Sequence, residues 1–265
     1  MYEKSEFLDE LDDNIIIWRY MTMASFLSLI IDKRLLFRKA STYKDYYDCY
    51  AIFDEESQKN IEDAIIHQKK PDNWIYCSRL GKGRPLMPFF KGEKWNLTFS
   101  QTGKLLCNAD ITYCNCWHIN NNENYALWKI YLDNQKEGIA VKSTIGNLKK
   151  ALSVEDDKVF LGRVNYTDKK LSLNNESKVN EHSVILRKRL QYSYESELRA
   201  FVVSKTETGD ENSYDALLVD IDIEQLVQEI WISPFAGQWL LEMINRLLEN
   251  LKINFTVKSS EIVER

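Results

Sequence analysis

Hydrophobic positions along this chain recur with two periods, and the switches between them outline its elements. Residues 14–21, NIIIWRYM, are β-branched and aromatic and predict a strand that carries Arg19. The segment that follows, TMASFLSLIIDKRLL, sets Phe26, Leu29, Ile30 and Lys33 at the spacing of one helix face. A strand therefore feeds directly into a helix. LLFRKAS predicts a second short strand, which ends in the polar and aromatic loop STYKDYYDCY. A helix over about residues 55–68 would bury Ile61, Ile65 and Ile66. Residues 71–108 are the least regular part and hold three of the four prolines. The fragment GKGRP within them lacks the spacing of a phosphate-binding loop.

Further on, ADITYCNCWHI predicts a strand, and NENYALWKIYLDN a helix with Tyr125, Trp128, Ile130 and Tyr131 near one face. GIAVKS and VFLGRVNY read as strands and VNEHSVILRKRLQY as a helix. ELRAFVVSK, ALLVDI and EIWIS read as strands, with a short helix EQLVQ between the last two. Pro234 suits the first turn of an amphipathic helix over PFAGQWLLEMINRLLENL, and INFTVKSS closes the chain as a strand. No regular strand–helix–strand rhythm runs through this order. The expectation is one α+β domain over residues 1–265, with a mixed, largely antiparallel or split central sheet and flanking helices.

Composition narrows the function classes. With 265 residues, 44% of them hydrophobic, the chain can bury a substantial core. A net charge of -5 argues against a broad nucleic-acid surface, although Arg187, Lys188 and Arg189 form a local basic spot suited to anions. No apolar run approaches the roughly 18 residues that span a bilayer, and the acidic start MYEKSEFLDELDD lacks a signal-peptide charge pattern. A cytoplasmic protein with no membrane partner and reduced thiols is expected.

Cys107, Cys114, Cys116 and His118 raise the question of zinc. In a strand the last three stand about 6.6 Å apart in succession, too wide for one tetrahedron, so they read as core residues and no metal is expected. Histidines number three, and no nucleophile-elbow motif accompanies them. Chemistry here must rest mainly on carboxylates. The candidate is YSYESELRAFV, residues 192–202, where strand alternation would point Glu195, Glu197 and Arg199 the same way. Composition alone reads them as a solvated strand face of paired charges, Arg19 as an ion-pair partner, and Trp128 and Tyr131 as core.

In order along the chain, WRYM, STYKDYYD, CNCWHI, ALWKIYLDNQKEGIAV, VNYTD and YSYESELRAF resemble the prokaryotic domain-of-unknown-function family twenty-nine seventy-one. Against that family's Phe-Asn-Asp-Pro-x-Glu segment, Asp45 keeps the acid, while Lys44, Tyr46 and Asp48 replace the Asn, Pro and Glu. A second, weaker resemblance is to the ADP-ribosyltransferase fold, with its early Arg or His, middle Ser/Thr or aromatic position and late E-x-E.

That second resemblance implies an NAD-dependent enzyme, in the setting of a toxin or phage-defence effector, transferring to a nucleotide, protein or nucleic acid. Arg19 would clamp the cofactor, with Tyr20, Ser41, Thr42, Tyr43, Trp128 and Tyr131 lining its site. Glu197 would be the catalytic carboxylate and Glu195 would orient the acceptor. The alternative is a non-catalytic binding or regulatory module in which Arg19, Trp128, Tyr131 and Glu197 form a structural network. A metal-independent nuclease or other nucleotide-processing enzyme stands behind both.

Overall fold

The computed structural model describes residues 1–5, 8–45, 48–49, 54–56, 74–76, 88–90, 112–152, 158–170, 182, 185–203 and 215–262. Most of the helix expected over 55–68, most of 71–108 including GKGRP, and Cys107 lie outside the described residues. Among the described residues the strands are β1 (Ile16–Thr22), β2 (Arg34–Lys39), β3 (Trp74–Tyr76), β4 (Pro88–Phe90), β5 (Thr112–Ile119), β6 (Gly138–Thr144) and β7 (Phe160–Arg163). They continue with β8 (Asn165–Tyr166), β9 (Arg187–Lys188), β10 (Glu197–Val203), β11 (Ala216–Asp220), β12 (Glu229–Ile232) and β13 (Thr256–Ser259). The α-helices are α1 (Met23–Asp32), α2 (Tyr125–Leu132), α3 (Ile145–Ala151), α4 (Ile223–Leu226) and α5 (Gln238–Leu251).

Thr22 ends β1 and caps α1, its hydroxyl oxygen accepting from the Ser25 N–H. Phe26, Leu29 and Ile30 bury the helix face that the sequence marks, but Lys33 does not extend it. Lys33 adopts a left-handed conformation at φ 54° and donates its N–H to the Leu29 carbonyl, closing the helix.

Nine strands form one sheet in the order β11-β2-β5-β1-β6-β12-β13, with β10 pairing β5 and β7 on a branch. Every pairing in it is antiparallel except β12 with β13. This is the α+β class read from the sequence, with its sheet split at β5. β10 runs along one edge of β5 from Glu197 opposite His118 to Val203 opposite Thr112. The other edge is shared: β1 meets it at His118 and Ile119, β2 at Tyr113 and Cys114. Asn115, Cys116 and Trp117 face the gap between those two strands, where side chains take over the backbone's hydrogen bonding. Asn115 donates to the Leu36 carbonyl and accepts from the Trp117 indole N–H, and Arg19 donates to the Cys116 carbonyl.

Strand alternation sorts the side chains into cores on opposite faces. Ile17, Met21, Trp117, Val141 and Leu198 join the main core with Phe26 of α1, Leu148 of α3 and Ile244 of α5. On the other face Trp18, Tyr20, Ala140 and Trp231 pack with Leu127, Trp128 and Leu132 of α2. Cys114 and Phe201 continue that face into a third cluster with Ala40, Cys49, Ile185 and Leu186.

Three expectations are corrected. In α2 the buried positions are Leu127, Trp128 and Leu132, whereas Tyr125 and Ile130 are exposed, because the helix docks through the face that meets Tyr20. Helix α5 starts at Gln238 with Gly237 as its cap, since Ser233 to Ala236 close a turn that leaves Pro234 outside. The described part of the segment read as a helix before Glu195 is β9 followed by a 3₁₀ helix, Leu190–Glu195. Its backbone is claimed by β8 instead: the Asn165 and Thr167 N–H groups donate to the Leu186 and Lys188 carbonyls.

Gly162 lies opposite Arg199 across β7 and β10, and a Cβ there would run into the Leu186 side chain. Gly162→Ala is therefore expected to cost about 1–3 kcal/mol through overpacking, read as a shift in urea midpoint.

Candidate functional site

The E-x-E pair does not lie on one strand. Glu195 is the last residue of the 3₁₀ helix, Ser196 is left-handed at φ 43°, and β10 begins at Glu197. That reversal brings both carboxylates to a single cation. Lys188 Nζ donates to Glu195 Oε2 at 2.7 Å and to Glu197 Oε2 at 3.1 Å, and lies 3.3 Å from Asp48 Oδ2. Beneath it Arg199 donates through Nε to Glu197 Oε1 at 2.7 Å and through Nη2 to Asp48 Oδ1 at 2.7 Å and Glu197 Oε2 at 3.1 Å. Its Nη1 serves Cys49 Sγ and the Ile185 carbonyl. All five guanidinium N–H groups thus have an acceptor.

The solvated strand face expected from composition is absent. Arg199 is 0% and Glu197 2% exposed, while Asp48, Lys188 and Glu195 at 7–8% form the outer layer. Three carboxylates face two cations, an excess of one negative charge.

That imbalance falls unevenly. Burial pushes the Glu197 carboxyl up, but the Arg199 guanidinium and Lys188 outweigh it and hold it well below the usual carboxylate range. Burial also raises Glu195, and there the nearby Glu197 and Asp48 carboxylates add to it, so that Lys188 does not restore the ordinary value. Burial opposes the charge of Lys188, and the surrounding carboxylates overcome it.

A ring of aromatic and polar groups adjoins this centre. His118, opposite Glu197 in the sheet, donates through Nδ1 to the Glu195 carbonyl at 2.8 Å, which leaves Nε2 as the unprotonated nitrogen of the neutral ring. Burial lowers its pKa to about 4. The Tyr131 ring stands edge-on to His118 at 4.9 Å, and Tyr20 lies 5.9 Å from it. Tyr43 reaches Cys116 Sγ at 3.4 Å and lies under Arg199 at 5.6 Å. Tyr166 accepts the Glu197 N–H at 2.8 Å, fixing the start of β10.

The predicted residues divide into two groups. Glu195, Glu197, Tyr43 and Tyr131 gather at the centre, and half-buried Arg19 reaches its edge through the gap in β5, with Cys116, Tyr131 and Tyr43 as electrostatic neighbours. Glu197 pairs with Arg199 and Lys188, and Arg19 with the Cys116 carbonyl. Tyr20 and Trp128 pack against each other at 4.9 Å, the Tyr20 hydroxyl accepting from the Asn124 N–H and the Trp128 indole donating to Glu123. Ser41 is buried, and the Thr42 hydroxyl donates to the Lys39 carbonyl. Two full members, Lys188 and Asp48, were visible in sequence only as a basic spot and as a replaced Glu. Beside them stand Cys49 and Ser196, both left-handed without being glycine.

Among the described residues no group of three or more His, Cys, Asp or Glu side chains is arranged to hold a metal ion, and Cys114, Cys116 and His118 lie in strand β5. No helix among them is long and apolar enough to cross a membrane. No protein-family model matches the chain, and no curated protein matches it either.

Proposed function

We propose that this charged centre is the working site of an ADP-ribosyltransferase-like enzyme that uses NAD, with Glu195 as the group that titrates. The observation that supports it is the separation of two carboxyls two residues apart, one held ionised and the other pushed up. Such a pair gives one fixed charge and one acid–base group within a single site. In the transfer, the bond between nicotinamide and the ribose carbon breaks, and its electron pair leaves with the nicotinamide. An acceptor oxygen or nitrogen bonds to that carbon, and its proton passes to the Glu195 carboxylate. The negative excess of the centre favours the cationic ribose of the transition state. Arg19, at the edge of the same centre, suits the pyrophosphate.

The test is nicotinamide release, with label transfer from adenosine-labelled NAD into a cell lysate. The parent is expected to do both, and Glu195→Gln to be slower by about 10²–10⁴ with its melting temperature retained. No release by the parent, or a Glu195→Gln variant that matches it, sinks the reading.

One observation favours the non-catalytic alternative: every donor of Arg199 is engaged within the protein. As a purely structural network the centre would leave NAD untouched, and its variants would change stability alone.

A further inference from the structure

The 3₁₀ helix that delivers Glu195 also carries an exposed aromatic and basic surface. Leu190 is 51% and Tyr194 48% exposed, large values for such side chains. Tyr192 and Tyr194 lie with ring centres 6.5 Å apart and planes 34° from each other. Two cations already lie against the Tyr192 ring, Lys188 Nζ at 5.2 Å and the Arg189 guanidinium at 5.4 Å.

Half-buried Arg187 adds charge from β9. Exposed Lys169 follows β8 beside it, where the Thr167 N–H donates to the Lys188 carbonyl and the Leu190 N–H to Asp168. The acids of this surface are Asp45, paired with Arg189, Asp168 beside Arg187, and Glu195 beside Tyr194, while Lys188 is held by Asp48, Glu195 and Glu197. Cations thus gather around half-buried Tyr192, with open Tyr194 beside it, on a chain whose net charge is -5. The surface borders the charged centre directly, since Tyr194 precedes Glu195 and Lys188 belongs to both.

An open ring with a cation-flanked ring next to it is what unpaired bases and their phosphates require, because every base offers a face to stack and every phosphate a charge. A duplex hides its base faces. We infer that Tyr194, Tyr192, Arg187, Arg189 and Lys169 form a binding surface for single-stranded nucleic acid, which delivers a base to Glu195 as the acceptor. The role as acceptor rests on the transferase reading above, but the binding itself does not, so the two are measured apart.

The experiment is fluorescence anisotropy of the full chain, without NAD, against a labelled mixed-sequence single strand and the same sequence as a duplex. The single strand is expected to bind more tightly than the duplex and to weaken as salt rises. Tyr194→Ala should weaken it about tenfold, and Arg187→Ala should reduce its salt dependence. Tyr194→Ala should keep the parent's melting temperature, because Tyr194 is open. Arg34→Ala, a control at the start of β2, the end away from Tyr43 and Asp45, where Arg34 pairs with Asp220, should bind as the parent does. No binding at tens of micromolar protein, equal binding of duplex and single strand, or a Tyr194→Ala variant that binds like the parent would each overturn the inference. Binding without nicotinamide release would support this surface and count against the transferase reading alone.

Discussion

Replacing Arg199 by methionine is expected to remove about 3–5 kcal/mol of unfolding free energy, the largest loss from any single change in the charged centre. Methionine keeps most of the apolar stem but supplies none of the five N–H groups that now reach Glu197, Asp48, Cys49 and the Ile185 carbonyl. Lys188 would then face three carboxylates alone, and Glu197 at 2% exposure has no route to water. Urea unfolding monitored by tryptophan fluorescence checks it: the midpoint should fall while the slope stays the same.

The double variant Arg199→Met with Glu197→Leu should recover part of the loss, because removing both charges leaves a smaller desolvation burden than removing one. A single-variant loss below about 1 kcal/mol would mean that the pair behaves as an exposed surface pair does. The same comparison separates stability from chemistry. Glu195 belongs to the outer layer and holds only Lys188, so its neutral amide should be tolerated where the loss of Arg199 is not.

Local pattern carried the fold further than it carried the site. β1, α1 and β5 follow directly from β-branched runs and helical spacing, and the absence of a βαβ rhythm gave the largely antiparallel sheet. The split at β5 does not follow from local pattern, because it depends on β1 and β2 competing for one edge. Such competition is settled by contacts between strands far apart in sequence.

The charged centre shows the same limit. Alternation predicted Glu195, Glu197 and Arg199 on one side, and they do converge, but through a left-handed Ser196 that no propensity marks. The burial of these charges is hidden in the sequence for a related reason. Charges look solvated in a sequence until their partners are known, and here Asp48 comes from a loop about 150 residues away. In sequence His118 reads with the cysteines as a core residue, yet its place between Trp18 and Glu197 puts it beside the whole arrangement.

His118 gives the second large effect, a loss of stability in mild acid. Its pKa falls to about 4 because burial disfavours the imidazolium, and Arg19 and Lys188 add to that, whereas the Glu195 carbonyl and Glu197 pull the other way. The unfolded chain takes up this proton below its ordinary value of 6.5, but the folded chain does not until about pH 4. The contribution is thus fully present above pH 6.5 and is lost as pH falls, by about 1.4 kcal/mol per unit, roughly 3 kcal/mol in all.

Glu195 has the opposite sign. Its raised pKa means that the folded state takes up that proton first, which favours folding as pH drops toward the ordinary carboxylate range. Glu197, held low, weakens the fold only in stronger acid. Glu195 acts in both the parent and a His118 variant, so the difference between the two from pH 6.5 to 5 reports on His118. His118→Asn preserves a side-chain N–H for the Glu195 carbonyl but cannot titrate. Urea unfolding at several pH values should show the parent losing stability relative to His118→Asn across that interval. Parallel lines would mean that His118 is protonated in the folded protein, and the neutral imidazole beside Tyr131 and Glu195 would have to be abandoned.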